Sequence, residues 1–362
     1  MRIAIRGIGV VGGFGCGTEA LHTAISSGKS NIEHVQVKTS EGLRSMPALI
    51  ADTTDLDNFV NKRALRRTDH YSRLALLGAY LALADTGSLQ KDMSRTGVII
   101  ASGYGPCRTT LAFLDTFIND GDNLSSPTYF SNSVQNAAVA NISMMLNITG
   151  PGLTVSQFEM SVPSALITAR KWLEEKRVDA VLFGAVDEYY DLLGYFWHRF
   201  YGRNATDDHE VKPFLYGLQT AVPGEGAAFF LLTGDDENAP GYGYIEDVIM
   251  GRCDRSPLMT ADNTYFFIGA DGHKKCGKYY EDYIPENAGL AAYAPIYGSL
   301  PIGTAFDVAI GAMSVKRGRV FCNSGEPRMG NRYDEIALNN KKISCLKIDS
   351  SGELGLISLS RE

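Results

Sequence analysis

Several protein classes are excluded by what the sequence lacks. The six cysteines in 362 residues include no C-x-x-C pair, so neither a zinc knuckle nor a disulfide framework is indicated. No run reaches the ~18 apolar residues of a membrane span, and the first residues lack the long apolar core of a secretory signal. Acidic residues outnumber basic ones by 41 to 34, and the net charge of −7 argues against a nucleic-acid partner. We therefore expect a cytoplasmic protein with no membrane span.

Motifs for metals and common cofactors are also missing. The G-x-S-x-G elbow of hydrolases is absent. The glycines near Gly12 and Gly13 lack the spacing and the acidic ribose ligand of a dinucleotide site. Five histidines have no metal-ligand spacing to one another or to paired acids, namely His22, His34, His70, His198 and His209. The sequence therefore predicts neither a metal nor a cofactor.

Apolar runs of strand length alternate with stretches of helical period, which is typical of a layered α/β fold. The strands predicted before residue 235 are Arg2–Val11, Gly97–Ala101, Leu153–Ser156, Asp179–Gly184 and Ala227–Thr233. The helices predicted there are Glu19–Ser27, Tyr71–Thr86 and Val134–Leu146. An acidic, aperiodic stretch at residues 235–241 contains proline and glycine, so we expect a joint between residues 1–235 and 236–362.

The second part repeats the alternation. Its predicted strands are Gly243–Met250, Thr264–Ile268, Ala294–Ser299, Cys345–Ile348 and Leu354–Leu359, and its predicted helix is Gly303–Val315.

Four segments carry a family resemblance in one order and at plausible spacing. They are a glycine-rich turn with its first helix at 7–32, R-R-x-D-x-Y-S at the start of 66–85, the stretch 129–156, and G-E-G-A-A at 224–228. Together they resemble the β-ketoacyl synthases of the thiolase-fold superfamily over nearly the first 235 residues. The resemblance implies two α/β halves related by a pseudo-twofold axis, in αβαβα layers.

The resemblance also implies where catalytic residues should lie. The family uses a cysteine nucleophile at a helix N-terminus, two histidines and a lysine. In this chain Glu159 stands at the cysteine position, Asp271 and Thr304 at the two histidine positions, and Ser299 at the lysine position. The family pattern therefore predicts that all four catalytic roles are vacant.

Two of these regions have competing interpretations. Glu159 could accept protons or mimic the carboxylate of a malonyl unit, or it could cap the helix that begins near Ser161 or pair across a subunit interface. The charged run of Asp271, His273, Lys274 and Lys275 is expected to be a solvated loop rather than an acid–base cluster.

Three surfaces are predicted to bind other proteins or an acyl chain. The basic residues Lys62, Arg63, Arg66 and Arg67 could dock an acidic acyl carrier protein, or the arginines could pair with Asp69 or Asp85. Aromatic residues between Tyr189 and Tyr201 suggest an interface, an acyl tunnel or plain core packing. The resemblance places a dimer interface along 127–140 and 153–156, and its candidate residues are Tyr129, Phe130, Asn132, Ala137 and Ala138.

A fold of this family without its catalytic residues suggests a partner subunit. It resembles the chain length factors that pair with an active β-ketoacyl-ACP synthase in type II polyketide and aryl polyene pathways. The implied partners are that synthase and an acyl carrier protein. Two alternatives remain open, a malonyl-ACP decarboxylase-like homologue and a homodimeric protein that binds acyl groups or acyl carriers.

Overall fold

The computed structural model describes residues 1–39, 41–89, 91–121, 124–201, 210–235, 241–254, 264–284, 288–321, 335–339 and 341–361. Its strands are β1 Ile3–Gly12, β2 Gly15–Cys16, β3 Glu33–Thr39, β4 Gly42–Ala48, β5 Thr96–Ser102, β6 Gly152–Ser156, β7 Ala180–Asp187, β8 Gly226–Gly234, β9 Tyr244–Arg252, β10 Thr264–Ile268, β11 Gly289–Ala291, β12 Arg319–Phe321, β13 Glu335–Ala337, β14 Lys342–Ile348 and β15 Glu353–Ser360.

The α-helices are α1 Thr18–Ser27, α2 His70–Asp85, α3 Cys107–Asp120, α4 Pro127–Asn132, α5 Ala137–Met145, α6 Ser161–Glu174, α7 Asp191–Tyr201, α8 Lys274–Tyr283, α9 Ala294–Tyr297 and α10 Gly303–Arg317. Short 3-10 helices lie at Thr54–Asn58, Ala64–Arg67 and Phe158–Met160. No described helix combines the length and the apolar character that a bilayer span requires.

The main sheet consists of two halves with the same strand order. From one edge to the other the order is β11-β10-β14-β15-β9 and then β1-β8-β7-β5-β6. The second strand of each half, β5 or β10, pairs parallel with the third and fourth, and the remaining pairs are antiparallel. The halves meet where Ile3 and Ala4 pair with Ile245 and Tyr244. Because the two halves have the same strand order and the same parallel and antiparallel pairings, they are related by the predicted pseudo-twofold axis.

Two helices form the layer between the halves. Helix α6 contacts β5, β7, β9 and β15, and α10 contacts β14, β15, β1 and β8, so each packs on strands of both halves. Helix α10 is buried from Gly303 to Val315, as expected of a helix without a polar face. Helix α2 covers β1, β7 and β8 from outside, while α8 contacts β14. These layers confirm the predicted αβαβα fold class.

The contact between β1 and α2 requires glycine. A Cβ atom on Gly9 would lie 2.1 Å from the Gly78 carbonyl oxygen, and one on Gly7 would lie 2.4 Å from the Ala82 oxygen. The helix begins at His70, one residue before its predicted start, and Asp69 caps it by accepting a hydrogen bond from the Ser72 amide. The glycine-rich start of the chain thus serves close packing of strand against helix.

One element differs in type from its prediction. The predicted strand Ala294–Ser299 is instead α9, followed by Gly298 with a φ of 88°. Pro295 lies in the first helical turn, where its missing N–H is not needed. The third strand of this half is β11, just before it. The predicted boundary at residue 235 stays a prediction, since residues 236–240 lie outside the described ranges.

Candidate functional site

Glu159 lies where the edge strand β6 turns into the central helix α6. The 3-10 turn that contains it packs against β14 and β15 of the other half. Its side chain is half-buried and makes no hydrogen bond to any described residue. The N-cap residue of α6 is Met160, and no side chain forms a capping hydrogen bond there. The expectation that Glu159 caps this helix is therefore wrong, because no side chain hydrogen-bonds to the amides at its start.

Asp271 is buried between the side chains of Lys347 and His273. Lys347 Nζ donates to Asp271 Oδ2 at 2.8 Å and to the Gly269 carbonyl at 3.0 Å. The His273 Nδ1 atom lies 3.0 Å from Asp271 Oδ1. Burial alone would raise the pKa of Asp271, but Lys347 and His273 outweigh it and hold that pKa well below its usual value.

This geometry corrects the expectation of a solvated loop. Asp271 is 6% exposed and Lys347 only 2%. Lys274 and Lys275 are exposed, as predicted, in the first turn of α8. The carboxylate is buried because a lysine from β14, 76 residues away along the chain, neutralises it.

Ser299 and Thr304 are also enclosed by the protein. The Ser299 hydroxyl donates to the Asp271 carbonyl at 2.6 Å and accepts from the Val222 amide at 3.0 Å. Thr304 is fully buried near the start of α10, and its hydroxyl has no hydrogen-bond partner in the described part of the chain. Ser299 is thus used for internal hydrogen bonds, whereas the Thr304 hydroxyl is buried without a partner among the described residues. Neither residue has a basic side chain.

Two residues that sequence reasoning missed complete this cluster. Lys347 interrupts the apolar run of β14, and a lysine inside such a run is a signal for a buried partner. Burial opposes its charge, but Asp271 and then Glu159 outweigh burial and raise the pKa of Lys347. Asp307 accepts a hydrogen bond from Tyr297 Oη at 2.9 Å, and burial raises the pKa of Asp307 to about 7. Glu159, Asp271, Lys347 and Asp307 thus interact electrostatically.

The aromatic stretch is divided between core and surface. The rings of Trp197 and Tyr201 on α7 contact His273 edge-on, at centroid distances of 5.1 and 5.4 Å. Trp197 is buried, whereas Phe196 and Phe200 are 41% and 64% exposed. The core interpretation therefore holds for one face of α7 and leaves the other face free for an interface or tunnel.

The basic residues lie at the surface in and around the short helix Ala64–Arg67. Lys62 pairs with Asp57 at 3.1 Å. The other three, Arg63, Arg66 and Arg67, are exposed and make no ion pair with a described residue. The expected pairing with Asp69 or Asp85 is wrong, since Asp69 caps α2 and Asp85 accepts from the Ile8 amide at 3.0 Å.

The interface candidates do not form one surface. Tyr129 and Phe130 on α4 are 42% and 58% exposed, and Asn132 Nδ2 donates to the Arg67 carbonyl at 2.8 Å. Ala137 and Ala138, in contrast, are 5% and 0% exposed. They belong to this chain's own core, where α5 packs against α2, so their assignment to an interface is wrong. The structure thus brings α4 and the basic residues together and separates them from the two alanines.

Comparison with known proteins identifies the family. The family model "Beta-ketoacyl synthase, N-terminal domain" matches residues 1–238. The chain is 23% identical over 237 residues to 3-oxoacyl-[acyl-carrier-protein] synthase 2 of Vibrio harveyi, a match over 64% of this chain and 57% of that protein. It is 27% identical over 247 residues to the putative polyketide beta-ketoacyl synthase 1 of Streptomyces cyaneus, a match over 64% of this chain and 58% of that protein. These matches thus span little more than half of either relative.

Solved structures share the whole fold. A β-ketoacyl synthase from Burkholderia phymatum STM815 superposes with a TM-score of 0.81 at 16% identity, covering 100% of this chain and 99% of that one. The ishigamide ketosynthase/chain length factor superposes with a TM-score of 0.75 at 16% identity, covering 99% of each chain. At such identity the likeness shows the fold alone. With the family match over residues 1–238, the conclusion is that this chain belongs to the β-ketoacyl synthase family.

Proposed function

We propose that this chain is a non-catalytic subunit that resembles a chain length factor and pairs with an active β-ketoacyl-ACP synthase. In that complex it would shape the acyl tunnel during polyketide, aryl polyene or fatty-acid-type elongation. The proposal depends on Glu159, which the family resemblance aligns with the cysteine nucleophile. A carboxylate there cannot form the thioester that condensation by this family requires.

The surroundings of Glu159 support the same proposal. Decarboxylation in the family depends on two histidines, and the resemblance aligns their positions with Asp271 and Thr304. Asp271 is committed to Lys347 and His273, while Thr304 is enclosed within the core. Since a buried ion pair cannot be opened without a large cost, this arrangement suits a permanently inactive subunit better than a resting enzyme.

The outer surface of the first half supports a protein partner. Strand β6 is the last strand of the sheet, and its Leu153 is 37% exposed. In the same half, α4 adds Tyr129 and Phe130 as exposed aromatic side chains. Exposed strand edges and large exposed apolar patches are rare on monomeric proteins. We therefore place the active synthase on this side of the molecule.

The three exposed arginines support a carrier-protein contact near α4. Arg63, Arg66 and Arg67 lack ion-pair partners among the described residues, so their charges are available to an acidic carrier. The double change Arg66→Glu and Arg67→Glu should weaken carrier binding by the complex at low salt, and the difference should shrink as salt rises. Lys171→Glu, at an exposed position on α6, is the control and should change binding little.

Reconstitution with purified proteins tests the function. The chain alone should take up no acyl group from a radiolabelled acyl carrier and should release no carbon dioxide from malonyl carrier protein. Mixed with an active β-ketoacyl synthase from the same organism, it should form a 1:1 complex that elongates the acyl chain. Covalent acylation of the chain alone, or release of carbon dioxide from malonyl carrier protein by it, would contradict the proposal. A homodimer that does not bind the synthase would contradict it as well.

A further inference from the structure

Phe158 combines a strained backbone with an exposed ring. Its φ is 45°, in the left-handed region that bulky side chains avoid, and its side chain is 61% exposed. The backbone strain lowers the stability of the folded chain, and the exposed ring gains little from burial to offset it. Strain of this kind commonly marks a residue that a binding or catalytic role requires.

Buried contacts build this conformation into the fold. The Ser161 hydroxyl accepts a hydrogen bond from the Gln157 amide at 2.7 Å. It also lies 2.7 Å from the Phe158 carbonyl and 2.9 Å from that of Ser102, both within donating distance. Ser161 is fully buried, and the Tyr104 ring meets Phe158 edge-on at 6.5 Å between centroids. The Ser161 hydrogen bonds therefore hold the backbone at Phe158, and the ring has Tyr104 as a neighbour.

We propose that Phe158 is an anchor that inserts into an apolar pocket of the active synthase subunit. The inference rests on the proposed function. Phe158 follows the last residue of β6 by two positions, and β6 forms the outer edge of the sheet. A subunit that covers this edge would lie close to Phe158, whose ring is exposed. Aromatic side chains near the centre of an interface supply much of the binding energy, and a ring fixed before binding loses little conformational entropy.

If Phe158 lowers the stability of the chain but strengthens its binding to the synthase, one substitution should change the two properties in opposite directions. Phe158→Gly removes the ring and relieves the left-handed strain, since glycine adopts positive φ freely. The melting temperature of the isolated chain at submicromolar concentration should therefore rise by a few degrees. Its dissociation constant for the synthase should increase at least tenfold. A merely structural phenylalanine would instead lower the melting temperature when it is removed.

Lys176→Gly is the matched control. Lys176 also has a positive φ, 54°, and it is exposed just beyond the other end of α6. Its change to glycine should raise the melting temperature in the same way and leave the affinity for the synthase unchanged. Phe158→Ala keeps a Cβ atom at the strained position, and it should weaken binding to a similar degree without the gain in melting temperature.

The outcomes separate the two proposals. If the wild-type chain binds the synthase and Phe158→Gly binds equally well, the anchor is wrong and the partner-subunit function stands. If the wild-type chain does not bind the synthase at all, the proposed function fails and the anchor fails with it. Self-association of the wild-type chain that Phe158→Gly abolishes would also overturn the proposal, because the pocket would then belong to a second copy.

Discussion

Lys347 Nζ lies 2.8 Å from Asp271 Oδ2, and both side chains are almost completely buried. Each charge is therefore stabilised by the other, and neither could be removed alone without leaving its partner unpaired in the interior. The Asp271 carboxylate is thus coupled to a lysine on β14, a different part of the chain.

Breaking this pair should be costly, which gives the first prediction. Asp271→Asn should lower the free energy of unfolding by about 3–5 kcal/mol, because it leaves the Lys347 charge buried without its partner. The double variant Asp271→Asn with Lys347→Met should recover a large part of that loss. Denaturant titrations of the single and double variants measure both values.

An exposed ion pair is the control for that experiment. Arg95 and Asp179 form a pair at 2.6 Å on the surface, where water screens both charges. Asp179→Asn should therefore change the free energy of unfolding little. An Asp271→Asn variant that is as stable as Asp179→Asn would show that Lys347 is not confined to the interior.

Much of the fold could be predicted from local patterns, but this pair could not. The apolar periodicity of residues 71–86 predicts α2 to within a residue at each end. Asp271 and Lys347 lie on separate elements 76 residues apart, and only the parallel register of β10 and β14 brings those elements together. A sequence pattern carries no information on such a register. Short apolar runs are ambiguous for a related reason, and α9 was predicted as a strand.

Restoring the thiol alone should not restore catalysis. Glu159→Cys places a cysteine near the start of α6, but Asp271 and Thr304 still supply no histidine for decarboxylation. We expect no elongated product from this variant with malonyl carrier protein, as measured by mass spectrometry of the carrier-bound chain. Glu159→Gln is the control and should leave elongation by the complex intact. Condensation by the single cysteine variant would mean that the family positions in the last third are assigned wrongly.

The exposed aromatic residues of α4 should matter for the complex. Phe130 is 58% exposed and packs against Phe113 at 5.4 Å between centroids. Phe130→Asp would bury an unpaired carboxylate at the proposed interface, which costs several kcal/mol, so co-purification with the synthase should be lost. Leu43→Asp is the control, because Leu43 is 70% exposed on β4, outside the proposed interface. Equal co-purification of both variants with the synthase would move the interface elsewhere.

Stability should fall as pH rises toward neutrality, in part because of Asp307. Its carboxyl is fully buried, and burial raises its pKa from 3.8 to about 7. The folded state therefore binds a proton that the unfolded state has released in this range. Its contribution to the free energy of unfolding is complete below pH 3.8 and is lost as the pH rises through about 7.

Asp307→Asn isolates this contribution. The amide keeps an oxygen that can accept the hydrogen bond from Tyr297 Oη, but it cannot ionise. Melting temperatures measured between pH 4 and pH 8 should therefore fall less steeply with rising pH in the variant than in the wild type. Asp92→Asn is the control, since hydrogen bonds from Ser94 lower the pKa of Asp92 and it titrates below this range. If Asp307→Asn and the wild type show the same slope, Asp307 is ionised throughout, and Lys347 must then neutralise it as well as Asp271.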